Sequence, residues 1–142
     1  VEHASAVGAE TIQVVYNRIE RQAETAILPL CLEQRLGVLA RVPLASGFLS
    51  GKYTRDSQFA QGDVRAVWQS EQDRLAMIEQ VEEVRKEVPE GVAMAHWALA
   101  WCLRNPAVSA VIPGNKNTAQ VESNAQAADL ADVSHDHPLA TK

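Results

Sequence analysis

The 142-residue sequence contains two cysteines, Cys31 and Cys102, far apart and each among apolar neighbours. Two such thiols make no disulfide framework; they read as buried, reduced side chains of a cytoplasmic protein. Basic charge is also scarce. Thirteen Lys and Arg stand against eighteen Asp and Glu, a net charge of −5, which argues against nucleic acid or an anionic membrane surface as partner. Apolar runs are short: Val92 to Leu103, broken by His96, falls below the roughly 20 residues a bilayer crossing requires, and reads as a buried helix. The start, Val1-Glu2-His3-Ala4, has no initiator Met and no leader pattern, and reads as the interior of a longer gene product. No G-x-G-x-x-G follows a predicted strand, which weakens a Rossmann-type dinucleotide site. No Ser–His–Asp, Cys–His or paired-carboxylate signature is present, so no catalytic residue is assigned. His135 and His137 on a polar tail do not complete a tetrahedral metal site.

What remains is the composition of one soluble domain spanning 1–142, with 46% apolar and 22% charged residues. Residues 1–10 read as the end of a helix stopped at Gly8. β-Branched runs predict strands at Thr11–Tyr16, Gly37–Val42 and Val108–Ile112. Helical spacing predicts a helix from Glu24 to Leu36, where Pro29 threatens a kink, and another through Met77, Val81, Val84 and Val88 that ends at Pro89. A third helix, Val92 to Arg104, is apolar nearly all round and must be covered on more than one side, from within the chain or by association. The last runs from Thr118, a candidate N-cap, to about Leu130. Between Pro43 and Ala66 periodicity is lost, which predicts a long loop of the functional kind. Residues 132–142 are polar and read as a flexible tail. His96 is expected to be a buried, hydrogen-bonded histidine, and Trp68, Trp97 and Trp101 to pack in the core.

Strands alternating with helices imply a parallel α/β sheet with right-handed crossovers. Two architectures compete. A (β/α)8 barrel takes about 250 residues, so length alone favours an open doubly wound sheet.

Three segments alter that balance. They are Gln13-Val14-Val15-Tyr16-Asn17, the run Arg41-Val42-Pro43-Leu44-Ala45-Ser46-Gly47-Phe48-Leu49-Ser50-Gly51-Lys52-Tyr53, and Ala98 to Asn124 with Val111-Ile112-Pro113-Gly114 inside it. Together they resemble the aldo-keto reductase family, closest to the branch containing the potassium-channel beta subunits. The resemblance implies a (β/α)8 TIM barrel of which this chain supplies the C-terminal half, strands six to eight with their helices. It also implies NADP (NADPH) as cofactor, held without a glycine fingerprint, and a small-molecule carbonyl substrate for the full-length protein. The family's catalytic tetrad of Asp, Tyr, Lys and His belongs to the first half, so the chain alone is expected to be inactive. Exposed barrel edges leave self-association open.

The resemblance also assigns cofactor-binding positions. Gln13 matches a glutamine that holds the nicotinamide carboxamide; by itself it is equally a strand glutamine bonded to backbone. Arg41 stands where the family usually places a stacking Trp or Tyr, and a guanidinium can lie flat on a ring or pair with phosphate. Pro43, Leu44 and Ser46 match pyrophosphate contacts. Lys52 and Arg65 match basic positions over the phosphates, or are simply exposed loop charge. Gly114, Asn115 and Lys116 precede a helix whose free N–H groups and dipole suit an anion, and Lys116 favours the 2′-phosphate of NADP. Gln120 and Asn124 share a helix face toward the adenine, with Ser123 where the family often has Glu; the alternative is a surface helix with scattered amides.

Overall fold

The computed structural model describes residues 1–63, 65, 70–130 and 133–137; Trp68 lies outside them. Its frame is a parallel sheet of β1 (Thr11–Val15), β2 (Gly37–Arg41) and β3 (Val108–Ile112), side by side in chain order. Each strand coincides with a β-branched run of the sequence to within one residue. The order does not reverse, so these strands contain no switch point of the doubly wound type.

Alternation divides the sheet into two unlike faces. Val38 and Ala40 of β2 are buried, and Ile12, Val14 and Val111 pack beside them in the core. Gln13, Leu39, Arg41, Ala110 and Ile112 occupy the other face, where Gln13, Arg41 and Ile112 are exposed. The β2–β3 register slips between Val38 and Leu39. There the Ser109 hydroxyl accepts the Val38 N–H at 3.1 Å, replacing the missing ladder bond.

Among the described residues, four α-helices pack around the core. Helix α1 (Ile27–Glu33) begins three residues later than expected, after a 3-10 turn at Gln22–Glu24. Pro29 is its third residue, where no intrahelical N–H bond is lost, so it fits without the anticipated kink. Helix α2 (Glu71–Arg85) opens on a capping box, with Ser70 Oγ accepting the Asp73 N–H at 3.1 Å, and buries Ile78, Val81 and Val84. It ends at Arg85, ahead of the expected stop at Pro89. Helix α3 (Met94–Leu103) is buried from Trp97 through Cys102. Its cover comes from within the chain, from β3, the turn Ala45–Ser50, helix α4 (Thr118–Ala125) and the turn Gln126–Asp129. Association is therefore not needed to bury it. The N-cap of α4 is Asn117 rather than Thr118, its Oδ1 accepting the Gln120 N–H at 2.9 Å.

The tail departs most from expectation. Residues 133–137 are docked rather than loose: Val133 is buried, and the His135 ring stacks on Trp101 with centroids 3.9 Å apart. The flat indole face supplies dispersion contact, while both imidazole nitrogens find polar partners, so an outwardly polar segment loses nothing by being buried. Residues 132 and 138–142 lie outside the described set.

Candidate functional site

The carboxyl ends of parallel strands are where α/β folds place ligands, and Arg41 with the loops that carry Pro43–Ser46 and Gly114–Lys116 lies at that edge. Gln13 and Arg41 lie on the open face of neighbouring strands, where Val15 pairs with Arg41. A cleft of about 290 Å³ lies over Val15, Arg41, Val42 and Ser46, and a shallower one of about 440 Å³ joins Gln13, Gln22 and Arg41. Glu20 lines both, a residue the sequence reading passed over. It is positioned by Asn17, which is fully buried and donates to Glu20 Oε2 at 2.8 Å and to the Val42 carbonyl at 3.0 Å. The Asn17 side-chain Oδ1 accepts the Ile19 and Glu20 N–H groups at 3.0 and 2.8 Å. One buried amide thus ties the loop after β1 to the loop after β2.

That second loop is strained. Val42, Ala45 and Ser46 hold φ of 56°, 46° and 56°, and Gly47 holds 92°. Non-glycine residues at such angles cost on the order of 1 kcal/mol each and persist where the surroundings dictate the backbone, commonly at ligand sites. Pro43 is buried and Leu44 packs against the core, so what these two present to a ligand is backbone. Ser46 is exposed at the crest.

Arg65 closes over this turn. Its guanidinium donates to the Ser46 carbonyl at 3.4 Å and to the Tyr53 hydroxyl, and lies 4.8 Å from the Tyr53 ring centre and 4.9 Å from that of Phe59. Lys52 places its ammonium 4.9 Å from the same Tyr53 ring. Asp63 binds Arg65 through Nε at 2.8 Å and Nη2 at 2.5 Å. These bonds hold the Asp63 carboxyl well below the usual carboxylate range, at about 2, with Lys116 adding to the effect. Lys52, Arg65 and Ser46 are therefore brought into one neighbourhood.

The loop after β3 forms a belt of self-bonded amides. Asn124 Nδ2 donates to Asn115 Oδ1 at 2.7 Å, Asn115 Nδ2 to the Pro113 carbonyl at 3.0 Å, and the Lys116 N–H to Gln120 Oε1 at 2.7 Å. Gly114 faces open space, for a Cβ built there meets nothing within 4 Å. Ser123 turns away from the belt toward α3, its hydroxyl 2.6 Å from His96 Nε2. His96 is hydrogen-bonded as expected but only half-buried.

A second polar cluster lies beneath the helices. The Tyr16 hydroxyl donates to Glu24 Oε1 at 2.6 Å and accepts from Asn105 Nδ2 at 3.3 Å. His135 Nδ1 accepts the His137 N–H at 2.9 Å, which leaves its proton on Nε2, 2.9 Å from the Tyr16 oxygen. Arg21 bridges Glu24 and Asp136, each at 2.9 Å. Burial raises the Tyr16 pKa and depresses that of His135 to about 4. Burial raises Glu24 too, but the bonds from Arg21 and Tyr16 outweigh it and leave its pKa low. Cys31 and Cys102 are free and buried, with pKa values raised by burial. Among the described residues no group of three or more His, Cys, Asp or Glu is placed to hold a metal, and no helix is long and apolar enough to cross a membrane.

The sequence profile of the aldo/keto reductase family matches residues 1–137. The chain belongs to the aldo/keto reductase family. It is 35% identical over 132 residues to a protein from Arabidopsis thaliana named Probable voltage-gated potassium channel subunit beta, covering 87% of this chain and 40% of that protein. It is 29% identical over 124 residues to the NADH-specific methylglyoxal reductase of Escherichia coli, covering 85% of this chain and 37% of that one. Among solved structures, the holo form of an aldo-keto reductase from Bacillus halodurans superposes with a TM-score of 0.70 at 22% identity, over 99% of this chain and 46% of its own. The aldo/keto reductase chain thus spans less than half the length of the relatives it matches.

Proposed function

We propose that this chain is the cofactor-holding C-terminal half of an aldo/keto reductase barrel, strands six to eight, in an NADPH-dependent oxidoreductase acting on small carbonyl compounds. The observation that carries the reading is convergence: Gln13 on the open face of β1, Arg41 at the carboxyl end of β2, and Ser46, Lys52, Arg65 and Lys116 on the loops after β2 and β3 all belong to three adjacent parallel strands and the loops that follow them. The helices-on-one-face arrangement supports a barrel segment whose open face would look inward.

The residues fit a dinucleotide. Gly114 borders open space ahead of α4, Lys52 and Arg65 meet at the Tyr53 ring beside the strained turn as a pyrophosphate requires, and Lys116 on the loop after β3 would serve a further phosphate. The Gln13 amide would hold a carboxamide, Arg41 would lie against a ring or phosphate, and the Pro43–Ser46 backbone would meet pyrophosphate. Asn115, Gln120 and Asn124 would exchange their mutual bonds for an adenine edge, with Ser123 held back by His96. When bound, NADPH supplies the hydride for carbonyl reduction. This half contributes holding and charge, with no acid or base assigned to the reaction, so the isolated chain should show no turnover. The relatives' names include an NADH-specific enzyme, so the preference for NADP rests on the cations of this chain. Two buried thiols that form no disulfide support a cytoplasmic setting.

Titration with NADPH followed by fluorescence is expected to show saturable binding by the chain. Absence of binding by a folded chain would refute the site, and appreciable reduction of a reactive aldehyde would refute the assignment of a purely holding role. Sedimentation tests the open face: self-association is expected at micromolar concentration.

A further inference from the structure

We propose that Asn17 is a positioning residue for the cofactor: through its amide, the loop after β1 holds the turn Val42–Ser46 in the shape that meets pyrophosphate. The inference rests on the dinucleotide reading above. Val42 is the residue of this turn least suited to its place. It is β-branched, it holds φ 56°, and it precedes Pro43, whose ring pushes the residue before it toward extended backbone. Such a conformation persists where its surroundings impose it. The Val42 carbonyl accepts twice, from the Ala45 N–H at 2.9 Å and from Asn17 Nδ2 at 3.0 Å. The first bond closes the turn on itself, and the second anchors it to the neighbouring loop.

The direction of the Asn17 amide is fixed by what surrounds it. Its Oδ1 faces the Ile19 and Glu20 N–H groups, which only donate, so Nδ2 faces the Val42 carbonyl and Glu20 Oε2, which accept. All four bonding positions of the side chain are filled, and Asn17 is fully buried, so turning the amide would break four bonds with no water to replace them. The backbone beyond Val42 carries the consequence. Ala45 and Ser46 hold φ 46° and 56°, Pro43 is buried and Leu44 packs on the core, which leaves main chain and the Ser46 side chain to face a ligand. With the Val42 carbonyl released, Val42 relaxes toward extended backbone, and the groups that would meet pyrophosphate lose their common direction.

Amide hydrogen exchange and calorimetric titration of the chain, Asn17→Asp and Asn17→Ser test it. Both variants keep an oxygen for the Ile19 and Glu20 N–H groups and lose the donor to Val42, and Asn17→Ser does so without adding a charge beside Glu20. If one of them does not fold, the other is read. Each is expected to speed exchange of the Ala45 N–H by about tenfold while the amides of Gly37–Arg41 exchange as before. NADPH is expected to bind about tenfold more weakly, and adenosine 2′-monophosphate, which has no pyrophosphate, as tightly as to the wild type. Adding Val42→Gly, which adopts φ 56° without a side chain to oppose it, is expected to bring NADPH affinity back to within about threefold of the wild type, a recovery that a general loss of stability would not show. Unchanged Ala45 exchange, unchanged NADPH affinity, an equal loss of both nucleotides or no recovery with Val42→Gly overturns the inference and leaves the dinucleotide reading standing. Failure of both nucleotides to bind the folded wild-type chain overturns that reading, and the inference with it.

Discussion

The polar knot around Tyr16 and the amide belt from Asn115 to Asn124 draw on similar hydrogen-bonding groups, yet the chain keeps them under opposite conditions. In the knot, Tyr16 and Asn105 are at most 1% exposed, and the Tyr16 hydroxyl gives one bond and takes two, with no room for another partner. In the belt, Asn115, Lys116, Asn117 and Gln120 are exposed, and α4 buries none of its residues. A buried bond left unmade costs the full desolvation of its groups, whereas an exposed one is exchanged for water or a ligand at little cost. Identical chemistry is thereby structural in one place and open to exchange with solvent in the other. The belt sits at the carboxyl edge of the sheet; the knot sits under the helices and fastens residues 133–137.

The largest effect expected of that contrast comes from the indole on which the knot is stacked. Trp101 carries His135 on its face, meets the Tyr16 ring at 5.5 Å, and has the Arg21 guanidinium 5.2 Å from its centre. Trp101→Ala is expected to cost about 3–5 kcal/mol in denaturant unfolding and to release residues 133–137 to rapid hydrogen exchange. A loss below about 1 kcal/mol would show that the stack is not a structural unit. Tyr16→Phe comes next, at about 2 kcal/mol, because it leaves Glu24, His135 and Asn105 each short of a partner while preserving the ring. A neutral result would mean the hydroxyl is dispensable and the knot is held by apolar packing alone.

A pH series sharpens the same comparison with a smaller effect. His135 is depressed to about 4 in the folded chain, against about 6.5 when unfolded. Between these values the unfolded chain binds the extra proton, so stability is complete above about pH 6.5 and falls as pH drops toward 4. Glu24 and Asp136, facing His135 with lowered pKa values, carry the loss to still lower pH, and Arg21 and His137 oppose a further charge on the ring. Between pH 7 and pH 5 the wild type is expected to lose about 1–2 kcal/mol, the His135 ring being shielded from solvent against Trp101. His135→Gln is expected to be less stable throughout and flat across that window. A slope unchanged in the variant would remove His135 as its source.

Much of the frame could be read from the residues because it is coded locally. The three strands are β-branched runs, and Ile78, Val81 and Val84 keep the spacing that marks the buried side of α2. The boundary errors have local causes as well: Asn117 and Thr118 are both good caps, and Pro29 tolerates a first turn as readily as it breaks a middle one. What escaped the sequence depends on distant pairing. His135 meets Tyr16 across 119 residues, and nothing in Ser134-His135-Asp136-His137 announces a burial site on an indole. Within the candidate site, Gln13, Arg41 and Ser46 are proposed from motif position alone. Glu20 and Asp63 were missed because an acidic residue in a loop has no pattern until the fold shows which cation or cleft it faces. The bonds among Asn115, Gln120 and Asn124 were half visible: spacing put two amides on one helix face but not the partner that crosses to them.

The smallest effect on stability falls in the belt, and it is the one that separates the two regions most cleanly. Asn124 is half-buried and spends its amide on Asn115, which in turn reaches the Pro113 carbonyl, so the bond spans loop and helix without fastening either to the core. Asn124→Ala is expected to change unfolding free energy by less than about 0.5 kcal/mol, since water replaces the lost partner at Asn115. In the same variant NADPH affinity is expected to fall about fivefold to tenfold, because an adenine edge would lose one of the amides that exchange toward it. The two readouts move independently only if the belt is exchangeable. A loss near 2 kcal/mol with unchanged affinity would make Asn124 a structural residue of the same kind as Tyr16, and the difference between knot and belt would then be one of exposure without consequence for binding.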